Sequence, residues 1–147
     1  MWPRFSEEIE AILREAGWHP GRSAFPAALP ADYTLFPSAR EALEEFGGLH
    51  VGTCGMGTDF ARSDILFAPD LGEGLARHIS QTPEGRRIYP LGEVQHGHSY
   101  LFIDEAGVPY LYSVELTKCG DSLDEGLIST LLGIRISGLN RWTITGL

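Results

Sequence analysis

The sequence predicts one α+β domain, because amphipathic helix patterns lie near both ends of the chain and a strong strand hairpin lies between them. No linker or internal repeat divides the 147 residues. A chain of this length can bury roughly two thirds of the surface that its unfolded form exposes. We therefore predict a single domain over residues 1–147, with an antiparallel or mixed sheet flanked by helices.

The first helix is predicted to begin after Ser6, a typical N-cap, and to end at Gly17. A second, shorter helix is predicted in "SAREALEEFGG", where Ser38 and Glu41 have the spacing of a capping box. Between the two, "FPAALPADYTLFP" contains too many prolines for a regular element. The apolar stripe of the first helix is Phe5, Ile9, Ile12, Leu13 and Ala16.

A last helix is predicted from the capping-box spacing of Ser122 and Glu125, and it should end at Gly133. We expect it to pack on the sheet through a leucine face. A weaker helical pattern runs over residues 71–81, where two glycines disfavour the first turn.

The hairpin signal is "SYLFIDEAGVPYLY", in which two strands rich in aromatic and branched residues flank a turn with Gly107. Pro109 lacks an N–H group, so its strand is predicted to lie at an edge or to carry a bulge. The hairpin aromatics are interpreted as structural cross-strand pairs. Shorter strands are predicted at "LHV" and "ILF", residues 49–51 and 65–67.

Acidic residues outnumber basic ones by 20 to 11, which gives a formal charge of -9. This charge disfavours direct nucleic-acid binding and suits a basic protein partner. The N-terminus lacks the apolar run of a signal peptide, and no segment has membrane-spanning length, so we expect a cytoplasmic protein. The glutamates of the predicted helices have the spacing of solvated polar faces.

The sequence offers few groups for catalysis or cofactor binding. The glycines Gly52, Gly55 and Gly57 lack the Lys-Ser/Thr ending of a phosphate loop and the third glycine of a dinucleotide fingerprint. On a strand, His96 and His98 would share one side, but no further ligand is evident, and "EVQHGHS" also has the pattern of a polar loop just before a strand. We therefore expect no metal and no cofactor.

The two cysteines, Cys54 and Cys119, are far apart and lack a CxxC spacing, so both are predicted to be reduced thiols. Neither lies in a local signature of an activated nucleophile, and no Gly-x-Ser-x-Gly elbow is present. The chain is therefore predicted not to be an enzyme.

Five motifs in order, "AGWHPGR", "FPSAREALEEFGGL", "IYPLGE", "LFIDEAGVPY" and "SLDEGLISTLLGIR", resemble the third SUKH immunity-protein subfamily over almost the whole chain. The resemblance implies a single α+β domain that binds and neutralises a toxin of a bacterial polymorphic or contact-dependent system. Many such toxins are nucleases. Two alternatives stay open, namely a general intracellular SUKH adaptor and a small metal-dependent hydrolase built on His96 and His98.

The resemblance also implies a set of signature residues, which we interpret as structural: Trp18, Gly21, Arg22, Gly47, Gly48, Gly92 and Glu93. Trp18 is expected to be buried. Arg22 is expected either to pair with a buried carboxylate such as Glu93 or to face a partner. Acidic residues near predicted turns are the candidate toxin contacts, namely Asp59, Asp64, Asp104, Glu105, Asp121 and Asp124.

Overall fold

The structure, a computed structural model, describes residues 4–135, and it confirms the α+β class. The three helices are α1 (Glu7–Glu15), α2 (Pro37–Phe46) and α3 (Leu123–Leu132). Two short 3₁₀ helices, Pro69–Gly72 and Leu75–Arg77, lie in the middle of the chain. The strands are β1 (His50–Val51), β2 (Ile65–Leu66), β3 (Ile88–Val94), β4 (Ser99–Asp104), β5 (Pro109–Tyr112) and β6 (Leu116–Lys118).

The six strands form one sheet in sequence order, and every neighbouring pair is antiparallel. Strands that neighbour each other in sequence need only short connections, which is why a meander of this kind forms without crossovers. β3 carries a bulge, because Pro90 faces Phe102 whereas Gly92 already faces Leu101. The extra residue between them, Leu91, is buried.

All three helices contact one face of the sheet and enclose the main core. Alternation along β4 explains the two faces: Leu101 and Ile103 point into this core, whereas Phe102 belongs to a second cluster on the opposite face. That second cluster is covered by Tyr33 and by Leu75 of the second 3₁₀ helix. The sheet is therefore buried on both sides along its central strands.

The predicted caps of the first and last helices are confirmed. The Ser6 hydroxyl accepts from the Ile9 backbone N–H, and Ser122 accepts from Glu125 in the same way. Gly133 ends α3 with a left-handed conformation, φ 65°.

The predicted start of α2 is wrong. The helix begins at Pro37, and the preceding Phe36 is its N-cap residue without a side-chain hydrogen bond. Proline suits the first helical position because its N–H group would be unpaired there in any case. Ser38 is already helical, and its hydroxyl instead donates to the carbonyl oxygen of Asp104 at 2.7 Å.

Two further local expectations are wrong. Residues 71–81 form only the short 3₁₀ turns, because Gly74 adopts a left-handed φ of 94° that an α-helix does not allow. Pro109 does not mark an edge, since β5 is paired on both sides, with β4 and with β6. Pro109 is the first residue of its strand, a position where the missing N–H is tolerated.

The hairpin itself and its aromatic pairs are confirmed. Gly107 has φ 87°, as the tight turn requires. Tyr100 faces Tyr112, and Phe102 faces Tyr110. Both cysteines are free, with Cys54 exposed and Cys119 buried.

Candidate functional site

Trp18 lies in the core, as expected, with 5% of its surface exposed. Its ring meets Phe5 edge to face, with 5.7 Å between ring centroids. The indole N–H donates to Glu45 of α2 at 2.9 Å. Gly21 supplies a left-handed turn, φ 78°, just after the Trp. The segment therefore joins α1 to α2, which is a structural task.

Arg22 does not pair with Glu93. Its guanidinium donates to the carbonyl oxygens of Glu45 and Gly47, each at 2.8 Å. The last carbonyl groups of a helix have no partner inside it, and α2 has no basic residue of its own in the last turn. Arg22 therefore caps the C-terminus of α2. Glu93 lies in β3 opposite Tyr100.

The signature glycines lie where the backbone leaves no room for a side chain or takes a left-handed turn. A Cβ atom on Gly92 would overlap the carbonyl oxygen of Leu66 in the adjacent strand. One on Gly47 would overlap that of Leu43. Gly48 has φ 85°. These contacts are consistent with a structural role for the three glycines.

Asp104 was expected to be exposed, and this expectation is wrong, because it is fully buried. One carboxylate oxygen accepts from the backbone N–H groups of Ala106 and Val108, both at 2.9 Å. The other accepts from the Tyr110 hydroxyl at 3.0 Å. Short acidic side chains favour such local bonds at turns, so Asp104 organises the β4–β5 turn and cannot reach a partner.

Asp64 was also expected to be exposed and is instead 4% exposed. Its carboxylate contacts the His50 Nε2 atom at 2.6 Å and accepts from the Cys54 thiol at 3.2 Å. Burial acts to raise the pKa of Asp64, but the hydrogen bonds from His50 and Cys54 outweigh it and hold this pKa below its usual value. His96 approaches the same carboxylate, with its Nδ1 atom 3.7 Å away.

The environment of Cys54 does not activate it as a nucleophile. The backbone of Asp64 favours the thiolate, but the carboxylate beside it raises the pKa of Cys54 overall. This agrees with the absence of a nucleophile signature in the sequence.

The two histidines of the H-x-H pair do not lie on a strand. They belong to the four-residue turn between β3 and β4, as the polar-loop interpretation of "EVQHGHS" predicts. His96 has a left-handed φ of 55° and lies with Cys54 and Asp64 in a group that we call the Asp64 cluster. His98 is not part of that cluster, which disfavours the alternative of a hydrolase built on His96 and His98.

The remaining candidate acids lie at the surface but are already bonded. Asp59 accepts from the Arg135 backbone, Glu105 pairs with Arg87, and Asp121 pairs with Lys118. Asp124 is held by the guanidinium of Arg4, which also binds Glu45. Each can still face a partner. The charges of Glu105, Asp121 and Asp124 are partly neutralised by the cations beside them, whereas the donor to Asp59 is a backbone N–H group without a net charge.

Carboxylates of α2 lie beside Asp124 in a groove between α2, the β4–β5 turn and the start of α3. Glu41, Glu45 and Asp124 line this acidic groove, with Gly107 at its wall. Glu44 follows on the outer side of α2. Among residues 4–135, the side chains of Glu41 and Glu44 have no ion-pair partner. From the sequence, these two are indistinguishable from ordinary solvated helix charges.

The placement of these acids is unfavourable for the helix that carries them. Glu44 and Glu45 lie in the last turn of α2, close to the negative end of the helix dipole. Helix stability alone would favour basic residues there. Glu45 nevertheless serves the fold through Trp18 and Arg4, whereas Glu44 has no ion-pair partner among residues 4–135.

The described residues form a small α+β domain with a groove beside α2 that is lined by carboxylates and by Arg4. The SUKH-3 immunity protein model matches residues 5–133, so the chain belongs to the SUKH-3 immunity protein family. No curated protein and no solved structure matches the chain. Within the described residues, no helix is long and apolar enough to span a membrane.

Proposed function

We propose that this protein neutralises a cognate toxin of a bacterial polymorphic or contact-dependent system by binding it directly, as a non-enzymatic inhibitor. The observation that carries the proposal is membership of an immunity-protein family over residues 5–133. The formal charge of -9 supports a basic toxin, such as a nuclease.

The acidic groove, with Glu44 beside it, is the proposed centre of contact. Glu41 and Glu44 can accept cations from a toxin, because neither has an ion-pair partner within residues 4–135, although Arg4, Arg22 and Arg40 lie on the same surface. Their carboxylates can occupy the position that a nucleic-acid phosphate would take on a basic nuclease. Complementary charge of this kind speeds association and weakens as salt rises.

The test is the association rate with the toxic domain encoded beside the gene of this protein. The variant Glu41→Lys/Glu44→Lys should associate about tenfold more slowly or worse, within the range that electrostatic steering supplies. Its melting temperature should stay the same or rise, because Glu41 is exposed in the middle of α2 and Glu44→Lys places a cation in the last turn, where it suits the helix dipole. Protection in co-expression with the toxin should fall accordingly.

The matched control is Asp70→Lys/Glu84→Lys, which changes the net charge by the same amount at exposed sites outside α2. It should associate nearly as fast as the unmodified protein. A third variant, Glu105→Lys/Asp121→Lys, tests two of the sequence-derived candidates. Equal slowing in all three variants would show that only net charge matters, and no slowing in any would show apolar recognition. An unmodified protein that neither binds nor protects would refute the function itself.

A further inference from the structure

Three segments that are distant in sequence bring a thiol, a carboxylate and an imidazole together beside β1. Cys54 comes from the loop after β1, Asp64 directly precedes β2, and His96 comes from the β3–β4 turn. The Cys54 Sγ atom lies 3.2 Å from one Asp64 oxygen, and the His96 Nδ1 atom lies 3.7 Å from the other. One donor atom from each residue lies within 4.8 Å of the other two.

The backbone holds this arrangement in place. The Gln95 N–H donates to the Asp64 carbonyl oxygen at 3.1 Å, which ties the β3–β4 turn to the start of β2. Gln95 and His96 have φ values of 56° and 55°, and they are the non-glycine residues with left-handed backbone in the described chain. Such conformations are strained and occur preferentially at functional sites. Here the turn places the His96 ring beside Asp64.

The innermost group of the cluster is the buried Asp64 carboxylate. Its partners are exposed, so one side of the cluster is open to solvent. Asp64 is 4% exposed, whereas Cys54 and His96 lie at the surface. His50 contacts the Asp64 carboxylate at 2.6 Å through Nε2. A hydrogen-bonded carboxylate beside a metal is a common arrangement that orients the ligand.

We propose that Cys54, Asp64 and His96 bind one Zn²⁺ ion, with His50 as the positioning residue for the Asp64 carboxylate. Sulfur, nitrogen and oxygen donors together are the ligand set that zinc accepts. Zinc–ligand bonds of about 2.0–2.3 Å in a tetrahedron place donor atoms roughly 3–4 Å apart. The Sγ–Oδ1 distance of 3.2 Å matches that spacing, and with a single Asp64 oxygen the three donor atoms lie within 4.8 Å of one another, close enough for small side-chain rotations to complete the set.

Binding would tie the glycine-containing loop after β1 to the sheet. Cys54 binds as a thiolate and releases its proton to solvent, and a water molecule takes the fourth position. The sequence predicts no metal because only His98 accompanies His96 locally. In the structure, Cys54 and Asp64 lie beside His96 instead. This inference does not depend on the proposed toxin binding.

The test is titration of the purified, metal-free full chain with Zn²⁺ by calorimetry, together with Co²⁺ as a spectroscopic probe. We expect one equivalent of each metal and a thiolate-to-cobalt charge-transfer band. Cys54→Ser should abolish the band, and His96→Ala should weaken Zn²⁺ binding by at least about tenfold. His50→Ala should weaken Zn²⁺ binding by about 10–100-fold while the cobalt band remains at saturating Co²⁺.

His98→Ala is the matched control, because it removes an exposed histidine from the same turn without touching the cluster. Zn²⁺ affinity within about twofold of the unmodified protein is expected for this variant. Absence of stoichiometric Zn²⁺ binding, or equal losses in His96→Ala and His98→Ala, would overturn the proposal. Circular dichroism of each variant would separate lost ligation from lost folding.

Discussion

Two aspartates show how strongly the surroundings of a single residue decide its role. Asp64 follows a turn-rich stretch and Asp104 begins the β4–β5 turn, positions typical of solvated surface acids, yet both are buried. The Asp104 carboxylate accepts three hydrogen bonds, from the backbone of Ala106 and Val108 and from Tyr110, and the Arg86 guanidinium lies 3.8 Å away, so its burial is compensated. Asp64 has the His50, Cys54 and His96 side chains around it instead. The same side chain therefore organises a turn in one place and forms a candidate metal site in the other.

Trp18 contributes to stability through one buried ring. Trp18→Ala should lower the free energy of unfolding by about 3–5 kcal/mol, the range for deleting a large core aromatic. Chemical denaturation measures this change. Trp18→Phe should recover most of the loss, since it keeps a ring against Phe5 and removes only the bond to Glu45. Unchanged stability with lost toxin binding would instead make Trp18 a contact residue.

At the scale of elements, β3 is bulged in its pairing with β4 and approaches the backbone of β2 closely on its other side. Leu91 is the extra residue of the bulge, and the following Gly92 passes against the carbonyl oxygen of Leu66. The two-residue strands β1 and β2 have little pairing of their own, so they depend on β3 to stay in the sheet. β2 also follows directly on Asp64, which couples this pairing to the Asp64 cluster.

Gly92→Ala should therefore disrupt the attachment of β1 and β2. We expect a loss of about 3 kcal/mol or more in unfolding free energy, because the rigid backbone of Leu66 cannot move aside without breaking strand pairing. The control is Gly107→Ala, where the added Cβ meets no atom within 4 Å and only the left-handed φ opposes it. That change should cost about 1–2 kcal/mol. Equal costs for both variants would contradict the close approach.

At the scale of the whole molecule, the charge of -9 has two opposite effects. It supports rapid encounter with a basic partner, but it also destabilises the compact state through self-repulsion. Ion pairs such as Arg4 with Glu45 and Asp124 relieve this repulsion locally. Glu41 and Glu44 lie beside that cluster without a cation of their own.

The melting temperature should therefore rise when salt is added at neutral pH. Going from about 0.01 M to about 0.1 M NaCl shortens the Debye length from about 30 Å to about 10 Å, which screens most of the repulsion. The variant Asp70→Lys/Glu84→Lys, with a formal charge of -5 because each substitution adds two charges to -9, should respond less. A melting temperature that falls with salt in both proteins would mean that ion pairs outweigh the repulsion.

Structural features whose interacting residues are close along the chain could be predicted from the sequence alone. The caps at Ser6 and Ser122, the left-handed Gly107 and the β4–β5 hairpin all depend on residues a few positions apart, and each is confirmed. Membership of the SUKH-3 immunity protein family was likewise predicted from ordered motifs and is confirmed.

Features that depend on residues far apart in the sequence could be seen only in the folded structure. Ser38 does not cap α2, because its hydroxyl donates to the Asp104 carbonyl oxygen. Arg22 binds the carbonyl groups at the end of α2 rather than Glu93. The Asp64 cluster combines Cys54 from the loop after β1 with His96 from the β3–β4 turn. Local spacing in the sequence does not predict that these residues meet. A polar group that is removed from water is stabilised by a hydrogen-bond partner. Which donor or acceptor is close enough depends on the packing of the whole chain, so local sequence does not predict the pairing.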